Sequence, residues 1–463
     1  MERNSNHIFF LGIGGIGMSA LARYFKSQGK TVSGYDRTAT ALTDALQQEG
    51  IPVFFEDVLS NYPKDAGMVV YTPAIPKDHI GFNFYKEQGY PLKKRSEVLG
   101  VISKDAYTIA VAGSHGKTTV SSMIAHILLQ ANRNVHAFLG GIATNYNSNY
   151  LVPNRGAVAL SRQIPSAVVI EADEFDRSFH HLQPNMAVIT AVDTDHLDIY
   201  GSKEKIDEAF LTFTEKIHEE GFLVIKQHQS IEAQLPSMDK AFYHLDSTDA
   251  DVYCSKYWIT ENGYVFSIHY FGEEYVGFRL NIGGFHNIEN ALAAFAICKE
   301  LGLSNHEIKA GLESFKGIKR RFEVIVQQPD FIFIDDYAHH PEEIRVFLAS
   351  VRERFPEKRI TAIFQPHLFS RTRDLAKEFA EALNLADEVL LMDIYPAREL
   401  PMEGVTSKLI LDQLSVSKKS IVPREEILAA IKNAQPEVLV TIGAGDIDKL
   451  ILPLKELLTQ QPQ

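Results

Sequence analysis

Seven consecutive residues have the types and order of a phosphate grip: Gly113-Ser114-His115-Gly116-Lys117-Thr118-Thr119. Glycines at a strand-to-helix turn let backbone N–H groups converge on an anion. A lysine there neutralises β- and γ-phosphoryl oxygens, and the Thr118 hydroxyl is placed to ligate a divalent cation. The first glycine of the longer, commoner phosphate loop would fall at Val111, so the pattern is the shorter G-x-x-G-K-T. Lysine beside glycine at a helix start has no structural advantage, which makes ATP the expected ligand and an inert turn the weaker explanation. An earlier loop, Gly12-Ile13-Gly14-Gly15-Ile16-Gly17, fits G-x-G-x-x-G, and Asp36 stands 24 residues after Gly12, where an acid reaches a ribose hydroxyl. This loop does not separate NAD from a UDP-sugar, because both present a pyrophosphate to a helix N-terminus.

Two acidic stretches follow apolar runs. Glu171-Ala172-Asp173-Glu174 comes after Ala167–Ile170, and Asp193-Thr194-Asp195-His196-Leu197-Asp198 after Met186–Thr190. Hard carboxylate oxygens suit Mg²⁺, and His196 is a less usual partner for that ion. The alternative is a set of helix caps and first-turn acids. His339-His340-Pro341 is either a base or a polar turn before proline. The 17 histidines form no closed zinc pattern.

The elements that must position these groups alternate between strand and helix. Ile8–Leu11, Thr31–Tyr35 and Met68–Tyr71 are strand candidates, with a helix over Met18–Gln28. A second unit starts near Tyr107, with a strand over Thr108–Ala112 and a helix over Thr118–Gln130. Residues 222–282 are β-rich, and Asn290–Leu301 is helical. A third unit starts near Ile318, with strands at Phe331–Ile334, Ile360–Phe364, Val389–Met392 and Val438–Ile442. Strands separated by helices imply parallel sheets with crossover connections. The expected fold class is α/β with domains over 1–105, 106–317 and 318–463.

Bulk properties narrow the function. A chain of 463 residues exceeds one core. Hydrophobic residues at 45% and charged residues at 23% are ordinary globular values. Forty-six Lys and Arg against 59 Asp and Glu give −13, which argues against broad nucleic-acid binding. Cys254 and Cys298 match no metal motif and make no disulfide framework, so a reducing cytoplasm is expected. The apolar stretch Ile8–Ala22 is broken by four glycines and reads as strand, turn and helix start rather than a leader, and membrane insertion is not expected.

In order along the chain stand GIGGIGM (Gly12–Met18), GSHGKTT (Gly113–Thr119), EADEFDRSF (Glu171–Phe179), DHLDIY (Asp195–Tyr200), HNIENA (His286–Ala291), RRFE (Arg320–Glu323), DDYAHHP (Asp335–Pro341), QPHLFSRTRD (Gln365–Asp374) and GAGD (Gly443–Asp446). This series resembles the Mur ligase family of peptidoglycan synthesis, and GIGGIGM, DDYAHHP and QPHLFSRTRD together point to its L-alanine-adding branch. The resemblance implies a Rossmann-like UDP-binding domain, a central P-loop ATPase-like domain with added β structure, and a Rossmann-like C-terminal domain. It also implies joining of L-alanine to the lactyl carboxylate of UDP-N-acetylmuramate through an acyl phosphate, with ATP and Mg²⁺. Under it, Gly12, Gly14, Gly15, Gly17, Met18, Asp36 and Thr72 bind the UDP-substrate. Gly113, Ser114, His115, Gly116, Lys117, Thr118, Thr119, His286, Asn287, Asn290, Arg321 and Asp335 bind ATP, and Thr118, Glu171 and His196 serve the metal. Tyr337, His339, His367 and Arg371 form the amino-acid end, with Lys117, His196, His339 and Arg371 catalytic. Many members have Arg-Tyr after the His of the QPH motif; here Leu368-Phe369 stands there, so Arg371 or Arg373 must serve the alanine carboxylate. No lysine of the kind some members carbamylate lies in Phe210–Thr214. Three alternatives stay open: a murein tripeptide recycling ligase, an NAD-dependent oxidoreductase and a nucleotide-gated binding protein.

Overall fold

The computed structural model describes residues 5–193, 200–260, 262–397 and 399–459. Three sheets organise them. The first is parallel, with β1 (His7–Leu11), β2 (Thr31–Tyr35), β3 (Val53–Phe54), β4 (Ala66–Tyr71) and β5 (Leu92–Lys94) in the order β3-β2-β1-β4-β5. Its crossover helices are α1 (Ile16–Ser27), α2 (Ala41–Gln48) and α3 (Ile80–Glu87), and α4 (Arg95–Asp105) follows β5.

The second sheet has ten strands. These are β6 (Tyr107–Ala112), β7 (Val135–Ala143), β8 (Ser148–Leu151), β9 (Ala167–Glu171), β10 (Met186–Ile189), β11 (Phe222–Lys226), β12 (Asp239–His244), β13 (Val252–Thr260), β14 (Gly263–Tyr270) and β15 (Glu273–Leu280). Their order is β15-β14-β13-β12-β11-β10-β6-β9-β7-β8, so the β-rich stretch expected over 222–282 extends the parallel core to one edge. The third sheet holds β16 (Glu323–Gln327), β17 (Ile332–Asp336), β18 (Ile360–Phe364), β19 (Glu388–Leu391), β20 (Lys418–Ile421) and β21 (Val438–Ile442) in the order β16-β17-β21-β18-β19-β20, with only β16 antiparallel.

By packing, the chain forms two compact units. One holds 1–257, 266–280 and 289–316; the other holds 258–265, 281–288 and 317–463. Within the first unit, α1 of the first sheet is tied to β7 and β8 of the second. Asn149 donates to Ser19 Oγ at 3.0 Å and to the Ile16 carbonyl, and accepts from Arg23, which also pairs with Glu49 at 2.7 Å. Tyr24 packs its ring on Phe138 and Tyr150. The two sheets therefore share one apolar core, running from Phe10 and Leu21 to Ile170 and Ile189.

Helix α5 (Lys117–Gln130) begins at the lysine loop and is buried on every side from Val120 to Leu129. A helix apolar all round must be covered all round. Here β6, β7 and β9 cover one side, and the helix Asn305–Ser314 covers another. That helix approaches closely because a Cβ at Gly311 would lie 2.8 Å from the Ile127 Cα. Each fully buried Ile or Leu of α5 contributes about 1.5–3 kcal/mol, so the loop at its N-terminus is set on a rigid support.

One histidine is sealed within α5. His126 is fully buried, with Nδ1 2.8 Å from the Tyr146 hydroxyl and Nε2 3.0 Å from Ser314 Oγ. Burial pushes its pKa down from 6.5 to about 4. The ring is neutral in the fold and takes up a proton more readily when unfolded. The stability it confers is thus present above pH 6.5 and is lost as the pH falls from 6.5 toward 4, a term on the order of 3 kcal/mol. Thermal melts at about pH 7 and about pH 5 are expected to show a steeper acid loss of Tm in the natural protein than in His126→Gln. Identical slopes would mean that the ring protonates freely in the folded state.

Candidate functional site

The residues singled out in the sequence gather at the carboxyl ends of parallel strands, where ligands of such sheets bind. After β6, Gly113 adopts φ +132°, and a Cβ there would meet Thr190 Oγ1 at 2.1 Å and the Ala191 amide at 2.8 Å. Gly116 caps α5 in the left-handed region, with φ 82°. These two positions demand glycine, and the loop between them is pinned. Ser114 N donates to the Ala191 carbonyl at 2.9 Å, and Asp193 N donates to Ser114 Oγ at 2.9 Å. His115 Nε2 lies 3.8 Å from the Asp193 carboxylate. Asn290 places its side-chain oxygen 2.7 Å from where a Gly116 Cβ would stand, so this distant residue reaches the loop.

Lys117 turns back into its own loop. Its ammonium donates to the Gly113 carbonyl at 2.5 Å and to the Glu174 carboxylate at 2.8 Å. Burial opposes the charge, but Glu174, Glu171 and Asp173 outweigh it and hold the lysine pKa above its ordinary value. Glu171, at the end of β9, accepts from the Gly140 amide at 2.8 Å and is hydrogen-bonded by the Thr118 side chain. Burial raises its pKa against the pull of Lys117, Thr118 and Gly140. A buried carboxylate in that condition, with a hydroxyl beside it, is a hard-oxygen donor set that a divalent cation would relieve. His196, together with Asp195 and Asp198, lies outside the described residues. Among the described residues no group of three or more His, Cys, Asp or Glu is arranged to hold a metal by itself.

The first glycine loop follows β1. Gly12 has φ +85°, and a Cβ there would meet the Thr72 methyl at 2.5 Å, so Thr72 and Gly12 are direct neighbours. Asp36 accepts from Gly14 N at 2.8 Å and Thr38 N at 3.1 Å. Its carboxylate therefore shapes the loop, whatever else it contacts. The amides of Ile16, Gly17 and Met18 precede the first bond of α1, from Ser19 N to the Gly15 carbonyl.

The other compact unit gathers the third constellation. Tyr337, His339, His367 and Arg371 come together after β17 and β18. The rings of His339 lie 5.4 Å from Tyr337 and 6.0 Å from His367, and Arg371 reaches the His339 carbonyl at 3.4 Å. His339 Nδ1 is 3.1 Å from the Tyr337 carbonyl and 3.3 Å from Glu343. Both are acceptors, so the proton sits on Nδ1 and the lone pair on Nε2. Burial lowers the His339 pKa despite Glu343, which keeps the ring neutral near pH 7. Arg373 is engaged by its neighbour Asp374 at 2.7 and 3.0 Å. Of the two arginines considered for the alanine carboxylate, Arg371 is thus the one facing the histidines.

Asp335 is fully buried between Arg320 Nε at 2.9 Å and the Thr441 hydroxyl at 2.6 Å. Its oxygens brace β17 to β21. Arg321 stands with its guanidinium 5.5 Å from the Tyr337 ring and 3.7 Å from Glu343. Asn287 donates to the Gly283 carbonyl at 2.7 Å, and His286 and Asn287 close around Gly284. Four residues that lie outside the sequence motifs complete these clusters: Gly140, Arg95, Glu343 and Tyr395, the last stacked on His367 at 5.8 Å; Glu174 stood in the acidic stretch without a role of its own. The glycine pair at 140–141 inside an apolar run was a legible sign of close backbone approach; a Cβ at Gly140 would strike Glu171 at 2.2 Å.

Comparison with known proteins places the chain in a family. Residues 7–107 match the model described as Mur ligase family, catalytic domain; 111–298 match the Mur ligase middle domain; 320–445 match the Mur ligase, glutamate ligase domain. A UDP-N-acetylmuramate–L-alanine ligase of Cytophaga hutchinsonii is 45% identical over 98% of this chain and 97% of its own. One from Porphyromonas gingivalis W83 is 45% identical over 97% and 98%. The crystal structure of a UDP-N-acetylmuramate–alanine ligase from Thermotoga maritima superposes with a TM-score of 0.83 at 29% identity, covering 97% of this chain and 98% of that one. A murein peptide ligase from Psychrobacter arcticus shares the fold, with a TM-score of 0.71 at 23% identity over 99% of both chains. With three models tiling the chain in order and relatives this similar from end to end, the protein belongs to the Mur ligase family.

Proposed function

We propose that this chain joins L-alanine to the lactyl carboxylate of UDP-N-acetylmuramate while converting ATP to ADP and phosphate. The observation that carries this reading is the end-to-end likeness to UDP-N-acetylmuramate–L-alanine ligases, at 45% identity. The lysine loop weighs against an oxidoreductase, and a gated binding protein has no need of the histidine cluster. A cytoplasmic location fits a soluble precursor, and among the described residues no helix is long and apolar enough to cross a membrane. We keep the domain limits 1–105, 106–317 and 318–463.

A carboxylate is a poor acyl donor because an oxide would have to leave. Transfer of the γ-phosphoryl group onto it creates a leaving group, but brings two anions together. Lys117 is the fixed charge that offsets their repulsion. It waits in an ion pair with Glu174, and the γ-phosphate takes the carboxylate's place. Gly113, Ser114, His115, Gly116 and Thr119 supply loop amides and hydroxyls to ATP. Asn290 braces the loop, and Asn287, His286, Arg321 and Asp335 act on the nucleotide. Mg²⁺ would be held by Thr118 and Glu171, with His196, and would neutralise phosphate charge when bound. Gly12, Gly14, Gly15, Gly17, Met18, Asp36 and Thr72 hold the UDP portion. Arg371 holds the alanine carboxylate. His339 Nε2 accepts the proton of the alanine ammonium, so that a neutral amine attacks the acyl carbon and phosphate departs. Tyr337 and His367 enclose that end.

Lys117→Ala is expected to slow ligation by on the order of 10³-fold with UDP-N-acetylmuramate affinity nearly unchanged; equal loss of both would mean the two glycine loops are not separate sites. His339→Gln is expected to lower kcat by about 10²–10⁴-fold with ATP affinity retained, and an unchanged kcat would remove it as the base. Mass detection of product from L-alanine, glycine, L-serine and a tripeptide offered together tests the substrate. L-alanine should lead glycine by about 1–3 kcal/mol, the worth of one methyl. A dominant tripeptide adduct would favour the recycling ligase instead.

A further inference from the structure

Arg95 belongs to none of the motifs, yet it stands between the first glycine loop and the acidic stretch after β9. It opens α4, directly after β5. Its side chain abuts Gly17: a Cβ at that glycine would come within 2.5 Å of Nη1 and 3.0 Å of Cδ. The third glycine of G-x-G-x-x-G is therefore kept bare to make room for an arginine. On its far side, Nη2 is 3.2 Å from Asp173 Oδ2, and Arg95, Ser96, Glu171 and Asp173 line one cleft.

This is a poor place for a resident cation. Gly17 is the second residue of α1 and Arg95 the first of α4, so the guanidinium sits at the positive ends of two helix dipoles. Its ionic partner among the described residues is the Asp173 carboxylate, 41% exposed, which offsets little in water. A doubly charged anion on the α1 amides would turn both unfavourable terms into favourable ones, and a guanidinium fork matches phosphate oxygens.

We propose that Arg95 is a binding residue for the pyrophosphate of the UDP-linked substrate, and that Asp173 holds the guanidinium in place until the pyrophosphate displaces it. The identity of that substrate rests on the function proposed above. The anion at issue is the pyrophosphate rather than the lactyl carboxylate, because Arg95 abuts the first turn of α1.

The test is calorimetric titration of the full-length protein with UDP, UDP-N-acetylglucosamine, which has the pyrophosphate but no lactyl carboxylate, and UDP-N-acetylmuramate. Arg95→Ala should weaken all three by about tenfold or more, and Arg95→Lys should recover only part, since it loses the fork. Asp173→Asn should tighten UDP several-fold by removing the competitor, a gain that a merely structural pair would not give. Unchanged UDP affinity in Arg95→Ala, loss confined to UDP-N-acetylmuramate, or weaker UDP binding in Asp173→Asn would each overturn the assignment. Product formation by the natural protein, measured separately, tells failure of the ligase reading from failure of this one.

Discussion

Everything in the first unit is arranged around one ammonium group. Lys117 opens a helix whose sides are wholly buried, and its charge is held inside the loop by the Gly113 carbonyl and Glu174. A buried cation is tolerated only when paired, so the acids of the 171–174 stretch are a condition for having the lysine there at all. Because the pair is made with a side chain rather than with main chain alone, it can be exchanged for a phosphate of the same sign. Gly140, Gly113 and Gly116 follow from the same demand. Gly140 is bare because the Glu171 carboxylate comes too close for a Cβ, Gly113 because Thr190 and Ala191 do, and Gly116 because it turns left-handed beside the Asn290 side chain.

The second unit solves a different problem with the same sheet-end geometry. In the reaction proposed above, a base for the alanine ammonium must be neutral and must present a lone pair. Burial keeps His339 uncharged, while Glu343 and the Tyr337 carbonyl fix the proton on the far nitrogen. The strand ends that deliver His339 and His367 are locked by hydrogen bonds between their neighbours. Asp335 joins Arg320 to Thr441, and Gln365 accepts from Ile447 N at 2.9 Å and donates to Asp446 at 2.9 Å. This explains why the GAGD stretch accompanies the QPH stretch: it is the anchor that aims it.

Much of this was legible in the chain. The strands Ile360–Phe364 and Val438–Ile442 are uninterrupted β-branched or apolar runs and lie where their pattern puts them, as does Thr31–Tyr35. The helix read from Asn290 begins instead at His286, because His and Asn are weak helix formers whose placement is decided by contacts. β7 was hidden by its glycine pair at 140–141, of which Gly140 is the one that Glu171 requires. Arg95 and Glu343 were invisible for a deeper reason. Their roles arise from pairs, Arg95 with Asp173 and Glu343 with His339, and the Arg95 pair is far apart in sequence, so no local pattern marks it. The sharing of one core by the first two sheets was equally unreadable, since it rests on Asn149 meeting α1.

The central claim is that the terminal phosphate gripped by Lys117 passes to a carboxyl oxygen before the amide bond forms. UDP-N-acetylmuramate labelled with ¹⁸O in its lactyl carboxylate, ligated to L-alanine with ATP, tests this directly by mass analysis of the released phosphate. One carboxylate oxygen carried into each phosphate is the expected result. Unlabelled phosphate alongside the normal amide product would contradict it.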